Sequence, residues 1–184
     1  MTTQADLRNL RVLLVGGKAS GAQVLRTAFG LIGITQIAVI ADSARAIEAL
    51  RVQSFCAIFC DATAEAWQGM TFPIAARRAS GVINPMTPLF LICHNARQRQ
   101  VEHARDTGVT DVLTQPVSAA TIQRKLEVAL AAPRPFIAAP SFFGPDRRTR
   151  RQSTWNGADR RTRAPKKTKV VLPEPGSGND MSYV

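Results

Sequence analysis

The first 131 residues alternate short apolar runs with longer segments in which apolar residues recur at helical spacing. Five of the runs are rich in aliphatic, β-branched or aromatic residues, which is typical of buried strands. These predicted strands lie at residues 11–15, 37–40, 55–60, 88–93 and 109–114. Helices are predicted between and after them, at residues 20–31, 42–51, 70–80, 97–107 and 118–131. Strand and helix therefore alternate along this part of the chain.

Several polar residues and glycines mark the ends of these helices. Asp42 and Ser118 precede apolar periodic segments and are predicted to cap two of them. Glycine ends two others, at positions 33 and 108. Within the second helix, the spacing predicts one apolar face formed by Ala44, Ile47 and Leu50.

The alternation predicts an α/β fold in which a doubly wound sheet of five parallel strands has helices on both faces. In such sheets, functional residues collect at the carboxyl ends of the strands, near the point where the strand order reverses. Here those ends carry Gly16-Gly17, Asp61, Cys93-His94 and Gln115-Pro116.

The three cysteines and the hydropathy pattern indicate the cellular compartment of the protein. Cys56, Cys60 and Cys93 lie in apolar runs without metal-ligand spacing, as buried reduced thiols do. No apolar run reaches the roughly 18 residues of a membrane span, and the N-terminus lacks the pattern of a signal peptide. We therefore expect a cytoplasmic protein that does not insert into a membrane.

The composition changes abruptly after residue 132. Residues 133–184 carry 11 of the 24 Lys and Arg residues but only 4 of the 13 Asp and Glu residues. Prolines interrupt the segment, so we expect a largely disordered tail that attracts a phosphate-bearing partner. The predicted organisation is an extension, a folded domain, a Pro-rich linker, a duplicated segment and a disordered tail: residues 1–9, 10–131, 132–141, 142–163 and 164–184.

The duplicated segment contains one short sequence motif twice. Residues 142–150 align with residues 155–163 at a spacing of 13, and an aromatic residue, Gly, Asp, Arg, Arg, Thr and Arg recur at the same offsets. Non-specific phosphate binding needs no Asp, no Gly and no fixed register. The repeat therefore predicts a specific ligand, while Lys166, Lys167 and Lys169 are assigned only general attraction.

The residue types of the repeat suit guanine and phosphate. Arginine can donate two hydrogen bonds to guanine O6 and N7 or to phosphate, and a carboxylate can accept from the opposite guanine edge. Aromatic rings can stack on bases, and glycine lets the backbone approach closely. Two such readers fit cyclic di-GMP, a symmetric dinucleotide. The candidates are Arg147, Arg148, Arg160 and Arg161; the acceptors Asp146 and Asp159; the aromatic residues Phe142 or Phe143 and Trp155; Gly144 and Gly157; and, as secondary contacts, Arg150, Arg151 and Arg163.

Residues 10–131 resemble a receiver domain of the CheY-like response-regulator family. The resemblance rests on the strand ending in Asp61, the glycine at position 108 and the Gln115-Pro116 turn. The resemblance implies which residues an active receiver needs: an acidic pair that binds Mg²⁺, an acceptor Asp, a Thr or Ser, and a Lys. Only the acceptor, Asp61, is present, because the other positions hold Gly16-Gly17, Cys93 and Gln115. The resemblance thus implies a phosphorylation-deficient pseudo-receiver that binds no metal and is not an enzyme.

The tail is similar to the arginine-rich segment of the Cle family, CheY-like cyclic di-GMP effectors that carry a duplicated aromatic–Gly–Pro–Asp–Arg–Arg phrase after a receiver. This similarity implies cyclic di-GMP as the ligand and the flagellar motor switch as the protein partner. A component of a histidine-kinase pathway is the other expected partner. The second repeat departs from the phrase at Ala158, where the first has Pro145.

Three alternatives remain open at this point. A nucleic-acid-binding adaptor would show affinity that falls steeply with salt and little preference for guanine. A phosphorylated single-domain response regulator would show Mg²⁺-dependent labelling of Asp61. A scaffold would use the basic tail to hold an anionic membrane surface. The fixed register of the repeat favours the dinucleotide as the ligand, and we expect the protein to bind no specific nucleic acid.

Overall fold

The computed structural model describes residues 7–16, 19–62, 71–94, 97–147 and 166–170. After a short 3₁₀ turn at Leu7–Asn9, five parallel strands alternate with five helices. The strands are β1 (Arg11–Gly16), β2 (Gln36–Ile40), β3 (Ala57–Asp61), β4 (Leu89–His94) and β5 (Asp111–Gln115). The helices are α1 (Ala19–Leu31), α2 (Ser43–Val52), α3 (Thr71–Arg78), α4 (Gln98–Asp106) and α5 (Ala119–Ala131). The predicted α/β fold is confirmed.

The sheet has the strand order β2-β1-β3-β4-β5, and all four pairings are parallel. The order reverses between β1 and β3, which brings the carboxyl ends of those strands together. One apolar layer packs under α1 and α5, and a second packs under α2 and α3. In the first layer Phe59 contacts Phe29 edge-on and stacks on Phe90, with 4.8 Å between ring centroids in both pairs.

The predicted helix caps are confirmed. The Asp42 carboxylate accepts from the Arg45 backbone N–H at 2.8 Å, and the Ser118 hydroxyl accepts from the Thr121 N–H at 3.2 Å. The residues at 33 and 108 adopt positive φ angles of 88° and 89°, which favour glycine. No helix in the described part of the chain combines the length and apolar character that a membrane span requires.

The predicted inner face of α2 is wrong at one residue. Ala46, Ile47 and Leu50 are buried, whereas Ala44 is exposed. The buried stripe is centred between positions 46 and 50, and Ala44 lies more than a quarter turn from that centre.

Part of the region that the sequence predicts as linker and disordered tail forms a second, antiparallel sheet. Its strands are β6 (Phe136–Ala139), β7 (Phe142–Pro145) and β8 (Lys166–Thr168), in the order β7-β6-β8. β6 is ordered because its apolar residues pack on the α/β domain, where Phe136 is buried and only 3% exposed. The remaining predictions of disorder, for residues 148–165 and 171–184, lie outside the described residues, as does most of the extension at 1–9.

Candidate functional site

Asp61 lies at the carboxyl end of β3, beside the point where the strand order reverses. It pairs in register with Gly16 at the end of β1, and it is 7% exposed. A carboxylate oxygen of Asp61 lies only 3.2 Å from where a Cβ on Gly21 would stand. A Cβ on Gly16 would lie 3.0 Å from the Asp61 backbone oxygen, so the last residue of β1 places backbone, and no carboxylate, beside Asp61.

The next two strands bring the other predicted residues to the same edge. Cys93 and His94 end β4 and pair with Thr114 and Gln115 of β5. The Cys93 thiol is buried and lies 3.7 Å from the Leu113 carbonyl oxygen, whereas His94 is exposed. Within the described ranges, no three His, Cys, Asp or Glu side chains form a group suited to a metal ion.

All three cysteines are free and buried, as the sequence predicted. Burial raises the pKa of each thiol, and the neighbouring Asp61 charge adds to the effect of burial in raising the pKa of Cys60 to about 12. Since the thiolate is the reactive form, the thiols should be inert near neutral pH.

We therefore expect no thiol of the native protein to react with iodoacetamide within an hour at pH 8. In denaturant, all three should react. Mass spectrometry of the intact protein counts the adducts directly. Rapid modification of Cys93 in the native protein would show that the strand-end region opens in solution.

The first half of the duplicated segment begins on β7. Phe142, Phe143 and Gly144 belong to this strand, and Asp146 and Arg147 follow it. The other predicted contacts lie outside the described residues: Arg148, Arg150, Arg151, Trp155, Gly157, Asp159, Arg160, Arg161 and Arg163.

Arg147 already stacks on an aromatic residue of its own repeat. Its guanidinium carbon lies 4.4 Å from the centroid of the Phe142 ring. The same guanidinium forms an ion pair with Asp106, the last residue of α4. The side chains of Arg147 and Asp106 are 43% and 59% exposed, so both can reach a ligand in solvent. The repeat thus presents an arginine in contact with an aromatic ring at the surface of the α/β domain.

Asp146 is placed differently from its predicted role at a guanine edge. The residue is 8% exposed, and its backbone N–H donates to the Pro135 carbonyl at 2.8 Å. Its carboxylate lies 3.6 Å from the ammonium group of Lys167 on β8. The Asp146 carboxylate is thus paired within the fold, and its role at a guanine edge stays a prediction.

The hairpin of β6 and β7 packs on the α/β domain through two glycines. A Cβ on Gly144 would lie 2.7 Å from the Gly108 Cα, and a Cβ on Gly108 would lie 2.6 Å from the Phe143 carbonyl oxygen. The sequence predicted that Gly144 allows a close backbone approach. The approach that the structure contains is to the turn between α4 and β5.

Arg77 on α3 lies beneath this hairpin and was not predicted from the sequence. It is 4% exposed, and its guanidinium donates to the carbonyl oxygens of Gly108 at 2.9 Å, Pro85 at 2.6 Å and Thr87 at 2.7 Å. Its guanidinium carbon lies 5.0 Å from the centroid of the Phe136 ring. Burial lowers the pKa of Arg77 to about 9, while the three carbonyls favour the charged form. The sequence of α3 contains a signal for the burial of Arg77, because positions 72, 73, 76 and 77 lie on one face of the helix.

A cleft of about 50 Å³ lies where the second sheet meets α5 and β5. Its lining includes Phe90, Lys125, Val128, Phe136 and Val170. Pockets for small molecules typically measure about 300–1,000 Å³. This cleft is therefore too small for a dinucleotide.

No protein-family model matches the chain, and no curated protein matches its sequence. Solved structures do match its fold. The receiver domain of sensor histidine kinase PA1611 from Pseudomonas aeruginosa, determined with a magnesium ion in its active site cleft, is 22% identical with a TM-score of 0.58. The match covers 67% of this chain and 98% of that one. The chain has the fold of a receiver domain.

Two further receiver structures support the same conclusion. The chemotaxis protein CheY4 of Vibrio cholerae is 22% identical with a TM-score of 0.55, and the match covers 64% of this chain and 96% of that chain. The receiver domain of the Francisella response regulator 1452 is 19% identical with a TM-score of 0.56, with 66% and 97% covered. The receiver fold thus accounts for about two thirds of the chain.

Proposed function

We propose that the protein is a non-enzymatic signalling effector of the cytoplasm that binds cyclic di-GMP through its duplicated segment. The observation that carries the proposal is the Arg147–Phe142 stack of the first repeat, together with the recurrence of the same residue types 13 positions later. An arginine that already lies over a ring and faces a carboxylate has less side-chain entropy to lose when it binds a guanine edge or a phosphate than an unrestrained one.

The stack also offers a place for a base. A guanine can lie against the outer face of the Arg147 guanidinium, or it can replace the guanidinium on the Phe142 ring, and base stacking contributes about 1–3 kcal/mol. Arg147 would exchange Asp106 for the ligand. That exchange costs little, because an exposed ion pair contributes only about 0–1 kcal/mol.

The position of the first repeat supports a role for the receiver fold in output. The repeat rests on Gly108 between α4 and β5, and its Arg147 contacts the end of α4. A ligand that draws Arg147 away from Asp106 changes the charge that this corner shows to a protein partner. We propose the flagellar motor switch or a histidine-kinase pathway component as that partner, following the resemblance to the Cle family.

We further propose that the receiver fold works here without phosphorylation. Phosphoryl transfer to a carboxylate relies on a divalent cation and a lysine to offset charge on the transferring oxygens. The strand ends of this chain hold Gly16 and Gln115 where a receiver holds an acidic residue and the lysine. The PA1611 receiver, by contrast, coordinates magnesium in its cleft.

Incubation with Mg²⁺ and acetyl phosphate is therefore expected to leave Asp61 unmodified. Phosphate-affinity electrophoresis and intact-mass analysis would detect the adduct, with an active receiver domain as the positive control. The variant Asp61→Asn should bind cyclic di-GMP as tightly as the wild type. Mg²⁺-dependent phosphorylation that disappears in this variant would instead support the phosphorylated response regulator.

The experiment that tests the proposed function is calorimetric titration of the full chain with cyclic di-GMP, GTP and a short DNA duplex. We expect binding of cyclic di-GMP that is far tighter than that of the other two. Salt-sensitive binding of the duplex with no heat from cyclic di-GMP would overturn the proposal in favour of the nucleic-acid adaptor.

A further inference from the structure

The second sheet holds both ends of the segment that contains the two repeats. Strand β7 ends at Pro145 and β8 begins at Lys166, and both pair with β6 from opposite sides. Neighbouring strands lie about 4.8 Å apart, so β7 and β8 are separated by roughly 10 Å. Pro145 pairs with Phe136 and Lys166 with Ala138, so the last residue of β7 and the first residue of β8 lie close together on the same small sheet.

Side chains reinforce this arrangement across β6. Asp146 is the first residue after β7, and its carboxylate pairs with Lys167 of β8 at 3.6 Å. The Asp146 side chain is 10% exposed, so Lys167 supplies a counter-charge to a carboxylate that water scarcely reaches. The backbone pairs Ile137–Lys167 and Phe136–Thr168 continue the contact along the strand.

The central strand is fixed in turn on the receiver fold. Phe136 of β6 lies on the buried Arg77, and Phe143 of β7 packs on Phe136 with 5.4 Å between ring centroids. Arg78 donates to the Pro140 carbonyl at 3.3 Å in the turn between the two strands. β8 thus returns the chain to a surface that is itself anchored.

We infer that β8, Lys166–Thr168, is a positioning strand for ligand recognition, which ties the C-terminal end of the duplicated segment to the receiver fold. This inference rests on the proposed function. Ordering a chain on a ligand costs conformational entropy, and the cost is smaller when both ends are already fixed. The sequence alone assigned Lys166 and Lys167 only a general attraction for anions, whereas the structure gives their strand a defined place.

The test compares two double variants that each add two prolines and remove one lysine. Lys167→Pro with Thr168→Pro disrupts β8, since proline cannot donate to a strand ladder. Lys169→Pro with Val170→Pro also adds two prolines and removes one lysine, just beyond the strand. Cyclic di-GMP affinity is measured by calorimetry, and hydrogen exchange reports the protection of backbone amides at residues 136–138.

We expect the β8 variant to bind about tenfold more weakly and to lose amide protection in β6, while the control stays within about twofold of the wild type. Lost protection with unchanged affinity would overturn the inference and leave the proposed function standing. Unchanged protection would overturn the inference too, because the strand pairing would then be absent from the protein in solution. A wild-type protein that binds no cyclic di-GMP would overturn the proposed function and, with it, this inference.

A charge-matched pair guards against effects of the prolines on folding. Lys167→Glu places a second negative charge beside Asp146, whereas Lys169→Glu makes the same change at an exposed position outside β8. Lys167→Glu should bind cyclic di-GMP at least about threefold more weakly than Lys169→Glu. Equal affinities would mean that these lysines act only through the overall charge of the tail.

Discussion

The affinity for cyclic di-GMP is expected to fall about a thousandfold or more when four arginines are changed together to Ala: Arg147, Arg148, Arg160 and Arg161. A bidentate contact from arginine to guanine contributes about 1–3 kcal/mol. Four lost contacts therefore remove at least about 4 kcal/mol, and every 1.4 kcal/mol is a factor of about ten in affinity. Calorimetric titration of the full chain measures the loss.

The control for this variant must lose the same charge elsewhere. Four exposed arginines on helices of the receiver fold serve this purpose when changed to Ala: Arg26, Arg45, Arg99 and Arg124. This control should bind cyclic di-GMP within a few-fold of the wild type, because exposed charges beyond about 10 Å from the ligand are largely screened at 0.1 M salt. If the two variants lose affinity equally, the tail acts as a diffuse basic surface and the proposed guanine contacts are wrong.

A single substitution tests the arginine–aromatic stack of the first repeat. Lysine at position 147 keeps the charge that faces Asp106 but lacks the planar group that lies on Phe142. We therefore expect Arg147→Lys to bind cyclic di-GMP more weakly than the wild type and more tightly than Arg147→Ala. An affinity equal to that of the wild type would mean that the stacking contributes nothing. Isothermal titration of both variants separates the two contributions.

The receiver fold could be predicted because its signals are local. The three central strands β1, β3 and β4 are continuous apolar runs, and the caps at Asp42 and Ser118 depend on residues only three positions away. The carboxyl-end positions of Asp61, Cys93 and Gln115 followed from the strand ends alone. Ala44 was assigned wrongly because the inward face of a short helix depends on how the helix is rotated against the sheet.

The second sheet and the hydrogen-bond partners of Arg77 could not be predicted, because both depend on pairings that are distant in sequence. Strand β8 has three residues, lies among prolines and lysines, and pairs with residues about 30 positions earlier. Arg77 bonds to carbonyl groups between positions 85 and 108, which the fold alone brings around it. A lone arginine on a short amphipathic helix is normally assigned to solvent.

Replacing Arg77 with Ala is expected to lower the free energy of unfolding by about 2–4 kcal/mol. The buried carbonyl oxygens of Gly108 and Thr87 and the partly buried one of Pro85 would lose a charged donor, and the guanidinium contact with the Phe136 ring would be lost as well. Removal of a desolvated cation offsets part of this loss, because Nη2 of Arg77 has no hydrogen-bond partner among the described residues. The remaining loss is large, since the hydrogen bonds to Gly108 and Thr87 are buried and water cannot easily replace the lost donor there.

Arg78→Ala is the matched control for that substitution. Arg78 is the next residue of α3, it is exposed, and a single hydrogen bond of 3.3 Å joins it to the Pro140 carbonyl. Its loss should cost no more than about 0.5–1 kcal/mol. Urea denaturation followed by circular dichroism compares the two variants, and hydrogen exchange at residues 136–145 should rise in the Arg77 variant more than in the Arg78 variant. Equal stability of the two would mean that the buried guanidinium contributes nothing to holding α3, the turn at Gly108 and the hairpin together.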